Sequence, residues 1–352
     1  ERRHRCVVPN VARPALWEPL PQLLSHFPSS MMNLNRILLA RDFSPISNQA
    51  LRYAVDLAQR TGSELHVLYA QVLYDDPFDS SESPSPASDV ENIREKLATT
   101  PSGTPLAEDD AFPVVEAVVR DVAAGPAILE YAREHDIDLI TLGTHGRRGV
   151  RRMLLGSVAE EVVRHANRPV VTVRGAADEM STAPPSIDQI LVPVDFSDHS
   201  RSALRTARAM ARLYDARLEV LHVIEERLHP AFYVGGVQSL DDLEPNLDEK
   251  ATAALDSFVQ NTPGPDVETV VHVVRGRPAR RIPAFAENHG IDLVALSTHG
   301  QTGLESFLLG SVSEKVLRHI GCPVLTVKAF GRSLVEAVPD EDAAPIPAPS
   351  DA

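Results

Sequence analysis

The sequence predicts an α/β fold written twice: two domains, each an open five-stranded parallel sheet with helices on both faces. Three observations carry that expectation. The stretch "GTHGRRGVRRMLLGSVAEEVVRHANRPVVTV" (Gly143–Val173) is nearly repeated as "STHGQTGLESFLLGSVSEKVLRHIGCPVLTV" (Ser297–Val327), 154 positions on. Upstream, "RILLARDFSPISNQALRYAVDLAQRTGSELHVLYA" (36–70) parallels "QILVPVDFSDHSRSALRTARAMARLYDARLEVLHV" (189–223) at an offset of 153. A period this long marks a duplicated domain rather than a solenoid. Within each copy, short β-branched runs alternate with helical patterns, as in a parallel sheet covered on both sides.

The elements follow in order. "ILLARD", "ELHVLYA", "PVVEAVVR", "DLITLG" and "PVVTV" are the expected strands of the first half. "ILVPVD", "RLEVLHV", "ETVVHVVR", "DLVALS" and "PVLTV" repeat them in the second. "NQALRYAVDLAQRT" and "RSALRTARAMARLY" place apolar residues at helical spacing after the first strand of each half, with Ser47 and Ser200 as expected N-caps. "AILEYAREH" and "RIPAFAENHG" are the helices between the third and fourth strands.

The expected boundaries are 33–175 for the first domain and 187–330 for the second. The small, polar, proline-bearing segment 176–186 is the linker. Residues 75–90, rich in Asp, Ser and Pro, read as a surface loop. Residues 1–32 read as an extension, disordered or a gene-start error, with Met31 or Met32 as the natural start. Pro9, Pro14, Pro19 and Pro21 interrupt any apolar core of a signal peptide. Residues 331–352 form an acidic Pro/Ala tail, expected to be disordered.

Composition narrows the function. Of 352 residues, 43% are hydrophobic and 24% charged, enough for a sizeable core in each of two domains. No run approaches the ~18 apolar residues of a membrane span. A net charge of −15 argues against nucleic acid or an anionic membrane as partner. Only Cys6 and Cys322 occur, so neither a disulfide framework nor a Cys-based metal site is expected, and a reducing cytoplasm fits.

The chemistry lies in the glycine spacing. Gly143-x-x-Gly146, nine residues, then Gly156-Ser157 recurs as Ser297-x-x-Gly300, nine residues, then Gly310-Ser311. Each pattern opens at the carboxyl end of a strand and closes at a helix N-terminus. Glycine lets backbone N–H groups approach a ligand, and a helix N-terminus offers unpaired N–H groups and partial positive charge. The pattern therefore reads as a phosphate cradle, against the blander reading of a tight turn. Ser157 and Ser311 are expected to cap their helices, with Glu160 and Glu314 as capping-box partners. Asp42 and Asp195 end the first strands, where ligands of open parallel sheets bind. Each carboxylate suits ribose hydroxyls or an adenine edge, or else holds its own turn. Arg147, Arg148, Arg151 and Arg152 crowd the first loop, where Gln301, Thr302 and Glu305 stand in the second. Arg forks suit phosphate oxygens, and a solvated basic loop is the alternative.

With Asp after the first strand and "HG…LLGS" in the loop, this pattern resembles the universal stress protein family over 33–175 and 186–330, as a tandem member. The resemblance implies flavodoxin-like (adenine nucleotide alpha hydrolase-like) domains of strand order 3-2-1-4-5. It also implies self-association through the fifth strands, as an intramolecular pseudo-dimer and possible homodimer. In one subset of the family ATP is bound. No His/Asp/Glu cluster of this sequence signals a protein metal site, so Mg²⁺ or Mn²⁺ is expected only as a companion of the phosphates. The implied nucleotide residues are Asp42, Gly143, His145, Gly146, Arg147, Arg148, Gly156, Ser157 and Val158 in the first half. In the second they are Pro193, Asp195, Val223, Gly276, Ser297, His299, Gly300, Gly310, Ser311 and Val312. The second half departs at Ser297, where glycine is expected. The first departs at Ala40 for Pro and Ala70 for Val, and "VVRDVAAGP" (118–126) lacks the "VVRGRP" step of 273–278.

No P-loop lysine motif and no G-x-S-x-G elbow occur, so a binding protein of the cytoplasmic stress response, not an enzyme, is expected. Slow ATP hydrolysis is one alternative. A dimerisation and interaction module without nucleotide is the other. His145 and His299 read as turn residues rather than members of a Ser-His triad, and Cys322 as a small hydrophobe rather than a redox sensor.

Overall fold

The computed structural model describes residues 32–72, 97, 99, 112–144, 155–174, 184–225, 244, 246–298 and 309–335. The first half contains β1 (Arg36–Ala40), α1 (Pro45–Thr61), β2 (Glu64–Val72), β3 (Val114–Asp121), α2 (Ala124–Glu134), β4 (Leu139–Gly143), α3 (Ser157–His165) and β5 (Val170–Val173). The second contains β6 (Gln189–Val194), α4 (Asp198–Tyr214), β7 (Arg217–Ile224), α5 (Leu247–Gln260), β8 (Thr269–Arg275), α6 (Pro278–Asn288), β9 (Leu293–Ser297), α7 (Ser311–His319) and β10 (Val324–Val327). The surface loop expected at 75–90 lies outside the described residues, as do residues 176–183 of the linker.

All ten strands join in one sheet of order β3-β2-β1-β4-β5-β10-β9-β6-β7-β8. Each half therefore has the order 3-2-1-4-5, as the family resemblance implied. Within each half every pairing is parallel; β5 and β10 alone meet antiparallel, Val171 opposite Leu325. That antiparallel seam relates the halves by a pseudo-twofold axis through the sheet. The carboxyl ends of the two sets of strands thus point in opposite directions. Strand alternation divides the core between the two faces. Ile37, Leu39, Ile190 and Val192 meet α1, α4 and α5, whereas Leu38, Leu191, Ile140 and Val294 meet α2, α3, α6 and α7.

Two corrections concern the helix starts. The first helices are capped by Ser44 and Ser197, not by Ser47 and Ser200. Each capping hydroxyl accepts the N–H three residues on, that of Ser47 or Ser200, at 3.2 Å. The cap falls earlier because Asp-Phe-Ser turns directly into the helix, a one-turn shift that periodicity alone does not resolve.

A third correction concerns the tail. Leu334, which the sequence reading left beyond the folded domain, is fully buried, and its carbonyl accepts the Asn33 N–H at 2.7 Å. Arg332 ion-pairs with buried Asp138 of the first half, and its N–H reaches the Asn167 carbonyl at 2.8 Å. Gly331, at φ 94, is required there, because a Cβ would meet the Asn167 carbonyl oxygen. Residues 331–335 thus strap the second half onto the base of the first.

Candidate functional site

In each half the winding reverses beside the first strand. α1 covers one face of the sheet and α3 the other, so a crevice opens beyond the carboxyl ends of β1 and β4. Register pairs Ala40 with Leu142 and Leu191 with Val294. Continued along the strands, it sets Asp42 level with Thr144 and Asp195 level with Thr298.

The two aspartates hold their own turns. Asp42 Oδ1 accepts the Ser44 N–H at 3.0 Å; Asp195 Oδ1 accepts the Ser197 N–H at 3.1 Å and the Ser197 hydroxyl at 2.5 Å. The turn reading left open by the sequence is thus realised in both halves. Between each Asp and Ser stands a phenylalanine in the left-handed region, Phe43 at φ 62 and Phe196 at φ 64. Such a backbone costs on the order of 1–3 kcal/mol for a residue with a side chain, so its neighbours must hold it. Phe43 lies 5.5 Å from the Tyr69 ring and under the Arg41 guanidinium at 5.0 Å. Phe196 lies 4.5 Å from His222 and edge-on to Phe258 at 5.6 Å. Sequence reasoning missed both; the repeated Asp-Phe-Ser at a constant offset was the available signal.

The halves differ behind this turn. Arg41, at the position of Val194, is buried, and desolvation lowers its guanidinium to about 10. It donates to the carbonyls of Thr99 at 2.8 Å and Leu97 at 3.4 Å. In the second half the Val194 side chain is buried without charge, and its carbonyl is bonded to His222 Nδ1 at 2.9 Å.

Opposite the aspartates lie the glycine patterns. The Gly156 N–H donates to the Thr144 carbonyl at 2.7 Å and the Gly310 N–H to Thr298 at 2.8 Å, closing the two loops at their bases. Gly156 and Gly310 are themselves the N-caps of α3 and α7, and among the described residues no side chain caps either helix. The expected caps Ser157 and Ser311 are instead the first helical residues, beside Val158 and Val312. Nor do Glu160 and Glu314 turn back as capping-box partners. Glu160 pairs with Arg164 at 2.7 Å and with Arg318 at 3.4 Å, and Glu314 pairs with Arg318 at 2.9 Å. The result is two glycine-capped helix N-termini at the crevice, to which no described side chain is bonded as a cap.

Three positions carry further geometry. Gly143 packs closely on α1: a Cβ there would stand 2.8 Å from Ile46 Cγ2 and 3.1 Å from the Ser47 nitrogen. Ser297 is accommodated at the same place in the second half, nearly buried, with its carbonyl accepting the Ser313 hydroxyl at 2.8 Å. Gly276, at φ 136, ends β8 and donates to the Ile224 carbonyl at 3.0 Å, beside the nearly buried Val223. Its counterpart in the first half is Asp121, which extends β3 opposite Val72. Pro193 is buried on β6. His145, Gly146, Arg147, Arg148, His299 and Gly300 lie outside the described residues.

Among the described residues no group of three His, Cys, Asp or Glu could hold a metal ion, and no helix is long and apolar enough to cross a membrane. Burial pushes the Cys322 thiol up to about 12, which fits a small core hydrophobe rather than a reactive thiolate.

Sheet order, switch-point crevice and glycine loop define a duplicated doubly wound α/β protein. Both halves match the Universal stress protein family, over 33–174 and 186–328, and the chain belongs to that family as a tandem of two such domains. The universal stress protein MJ0531 of Methanocaldococcus jannaschii is 34% identical over 140 residues, covering 40% of this chain and 81% of that protein. Universal stress protein Rv2005c of Mycobacterium tuberculosis is 30% identical over 206 residues, 58% of this chain and 65% of its own. Among solved structures, a universal stress protein from Pseudomonas aeruginosa superposes with a TM-score of 0.59 at 18% identity, covering 84% of this chain and 94% of its own. One from Archaeoglobus fulgidus gives 0.55 at 22%, covering 84% and 97%. At these identities the structures support the fold alone.

Proposed function

We propose that the protein binds an adenine nucleotide, ATP foremost, in at least one of its two crevices, and acts as a non-enzymatic binding protein of the cytoplasmic stress response. The observation that carries this reading is the pair of helix N-termini, α3 and α7, each N-capped by a glycine and each across a switch-point crevice from an aspartate turn. In this reading the N–H groups of Ser157 and Val158, or of Ser311 and Val312, donate to the phosphate oxygens, and the Ser hydroxyls add a donor. Asp42 or Asp195 takes the ribose hydroxyls, held at the crevice by the phenylalanine-locked turn. Val223, Pro193 and Gly276 form the base-side wall of the second half, where the left-handed glycine lets the Arg281 side chain pack against the backbone. Gly143, Gly146, Ser297 and Gly300, with His145 and His299, shape the loops around the phosphates. Arg147 and Arg148 grip a polyphosphate tail, and Mg²⁺ or Mn²⁺ accompanies it as a phosphate ligand.

The test is the nucleotide content of protein purified without added ligand, by heat release and chromatography. One or two adenine nucleotides per chain support the reading, and Asp42→Ala against Asp195→Ala assigns the half. Replacing Arg147 and Arg148 by Ala should weaken ATP more than AMP. The antiparallel β5–β10 seam favours a second reading, an interaction module that pairs domains without nucleotide. A protein purified empty that also shows no ATP binding by calorimetry would leave that reading in place.

A further inference from the structure

His66 lies on β2 between Leu38 of β1 and Val115 of β3, under α2, and is 4% exposed. Both ring nitrogens are engaged: Nδ1 with the Tyr131 hydroxyl of α2 at 2.8 Å, and Nε2 with Glu64 Oε1 at 2.7 Å. A carboxylate only accepts, so Nε2 carries the proton and Nδ1 accepts from the hydroxyl. The neutral ring is then fully satisfied. Buried Tyr131 stacks on His135 at 3.9 Å, and the His135 ring stands 5.8 Å from His66. Arg36 of β1 lies 3.5 Å from Glu64, and Val115 and Ala117 of β3 on this face are apolar. The charged and titratable groups around the ring are therefore Glu64 and Arg36 beside it, and Tyr131 and His135 over it.

A second proton on the ring has no comparable place. On Nδ1 it removes the acceptor of the Tyr131 hydroxyl, which has no other partner among the described residues, and it puts a charge where water is excluded. Burial accordingly holds the imidazole below its usual 6.5; His135 and Arg36 push the same way, against the pull of Glu64.

The second half has the same arrangement with the roles exchanged. Glu219 stands in the place of His66, Arg217 in that of Glu64, Phe285 in that of Tyr131 and His289 in that of His135. Buried Glu219 is held by Arg217 Nε at 2.7 Å and by His272 Nε2 at 2.5 Å. Phe285 stacks on His289 at 3.8 Å and brings no hydroxyl. A proton gained by the half-buried His272 therefore meets a carboxylate and breaks no hydrogen bond.

We propose that the stability of the first half is linked to protons through His66, so that acid loosens α2 from the sheet while α6, at the corresponding place, stays docked. A molecule built of two copies of one unit thereby responds to acid in one copy, whatever its crevices bind. The sign follows from the direction of the shift. With the ring held below 6.5 in the folded state, the undocked chain takes up the proton first as pH falls. The protection of α2 is thus fully present above about pH 7 and is lost below about 6.5, by up to about tenfold per pH unit.

The experiment is hydrogen exchange of the full chain by mass spectrometry at pH 7.5 and 5.5, corrected for intrinsic rates and read at α2 and α6. The His66 ring is followed over the same range by NMR. The expected result is titration of His66 below 6.5, with α2 losing about three- to tenfold in protection and α6 less than about twofold. His66→Gln repeats the one donor and one acceptor of the neutral ring but does not titrate, and its α2 loss should fall below about twofold. Titration of His66 at 6.5 or above, equal losses in the two helices, or an α2 loss unchanged in His66→Gln overturns the proposal. Should His66→Gln fail to fold, the wild-type titration and the comparison of the two helices decide.

Discussion

Replacing Leu334 by Ala is expected to destabilise the protein by about 2–5 kcal/mol, the range for emptying a buried leucine site. The side chain is 0% exposed and packs in the core on the α1 and α4 face. Three carbons removed at ~0.8 kcal/mol each give about 2.4 kcal/mol of lost transfer energy, before any cavity term. The backbone bond from Asn33 to the Leu334 carbonyl remains available to Ala, so the loss reports packing rather than hydrogen bonding. Urea unfolding followed by far-ultraviolet circular dichroism measures the change, and hydrogen exchange at the Asn33 amide reports whether the strap has lifted. A loss below about 0.5 kcal/mol, together with a chain truncated after Lys328 as stable as the full one, would falsify the claim that the strap belongs to the folded core.

Three further outcomes follow from polar groups that are wholly or partly buried. Asp138 Oδ2 accepts the Asn35 and Arg36 N–H groups at 2.7 and 2.9 Å, and Asp292 Oδ2 accepts those of Asp188 and Gln189 at 2.9 Å. Replacing either by Ala should cost about 3 kcal/mol, and Asp138→Ala more because Arg332 then keeps only Asp136, at 3.5 Å; equal losses in urea titrations would contradict the ion pair's contribution. Burial lowers Lys328 from 10.5 to about 8, so between those values the unfolded chain holds the proton that the folded one has released. Stability of the wild type relative to Lys328→Met should therefore rise from pH 8 to 10, and a flat difference would refute the shift. In a Cys6→Ser background, Cys322 should stay unmodified by a thiol reagent at pH 8 until the protein unfolds; prompt labelling of native protein would show its thiol to be accessible.

Much of the fold was legible because each element carries its own period. Strand runs such as "DLITLG" and "DLVALS" are mostly apolar without alternation, since both of their faces are covered, and the helices after them repeat at 3.6 residues. Glycine at a strand end before an apolar helix marked where the loops would lie. What each residue does there was less legible. Ser157 and Glu160 have the sequence of a capping box, yet the cap is Gly156, and Glu160 pairs instead with two arginines, one of them from the other half. Gly143 read as a ligand contact, yet a Cβ there would already collide with α1.

The sequence alone determined that there are two copies of one α/β unit, where their strands and helices run, and which loops carry the glycines. Those properties rest on side-chain periodicity and turn chemistry within a few residues. Only the tertiary structure decided that β5 and β10 meet antiparallel, that Arg174 and Lys328 each cap the C-terminal end of a helix in the other half, and that Leu334 returns to the first half. These contacts join residues far apart in the chain, and each depends on a seam that neither half encodes locally. A polar side chain near a helix end, or an apolar residue in a tail, has no partner until the two halves are placed together.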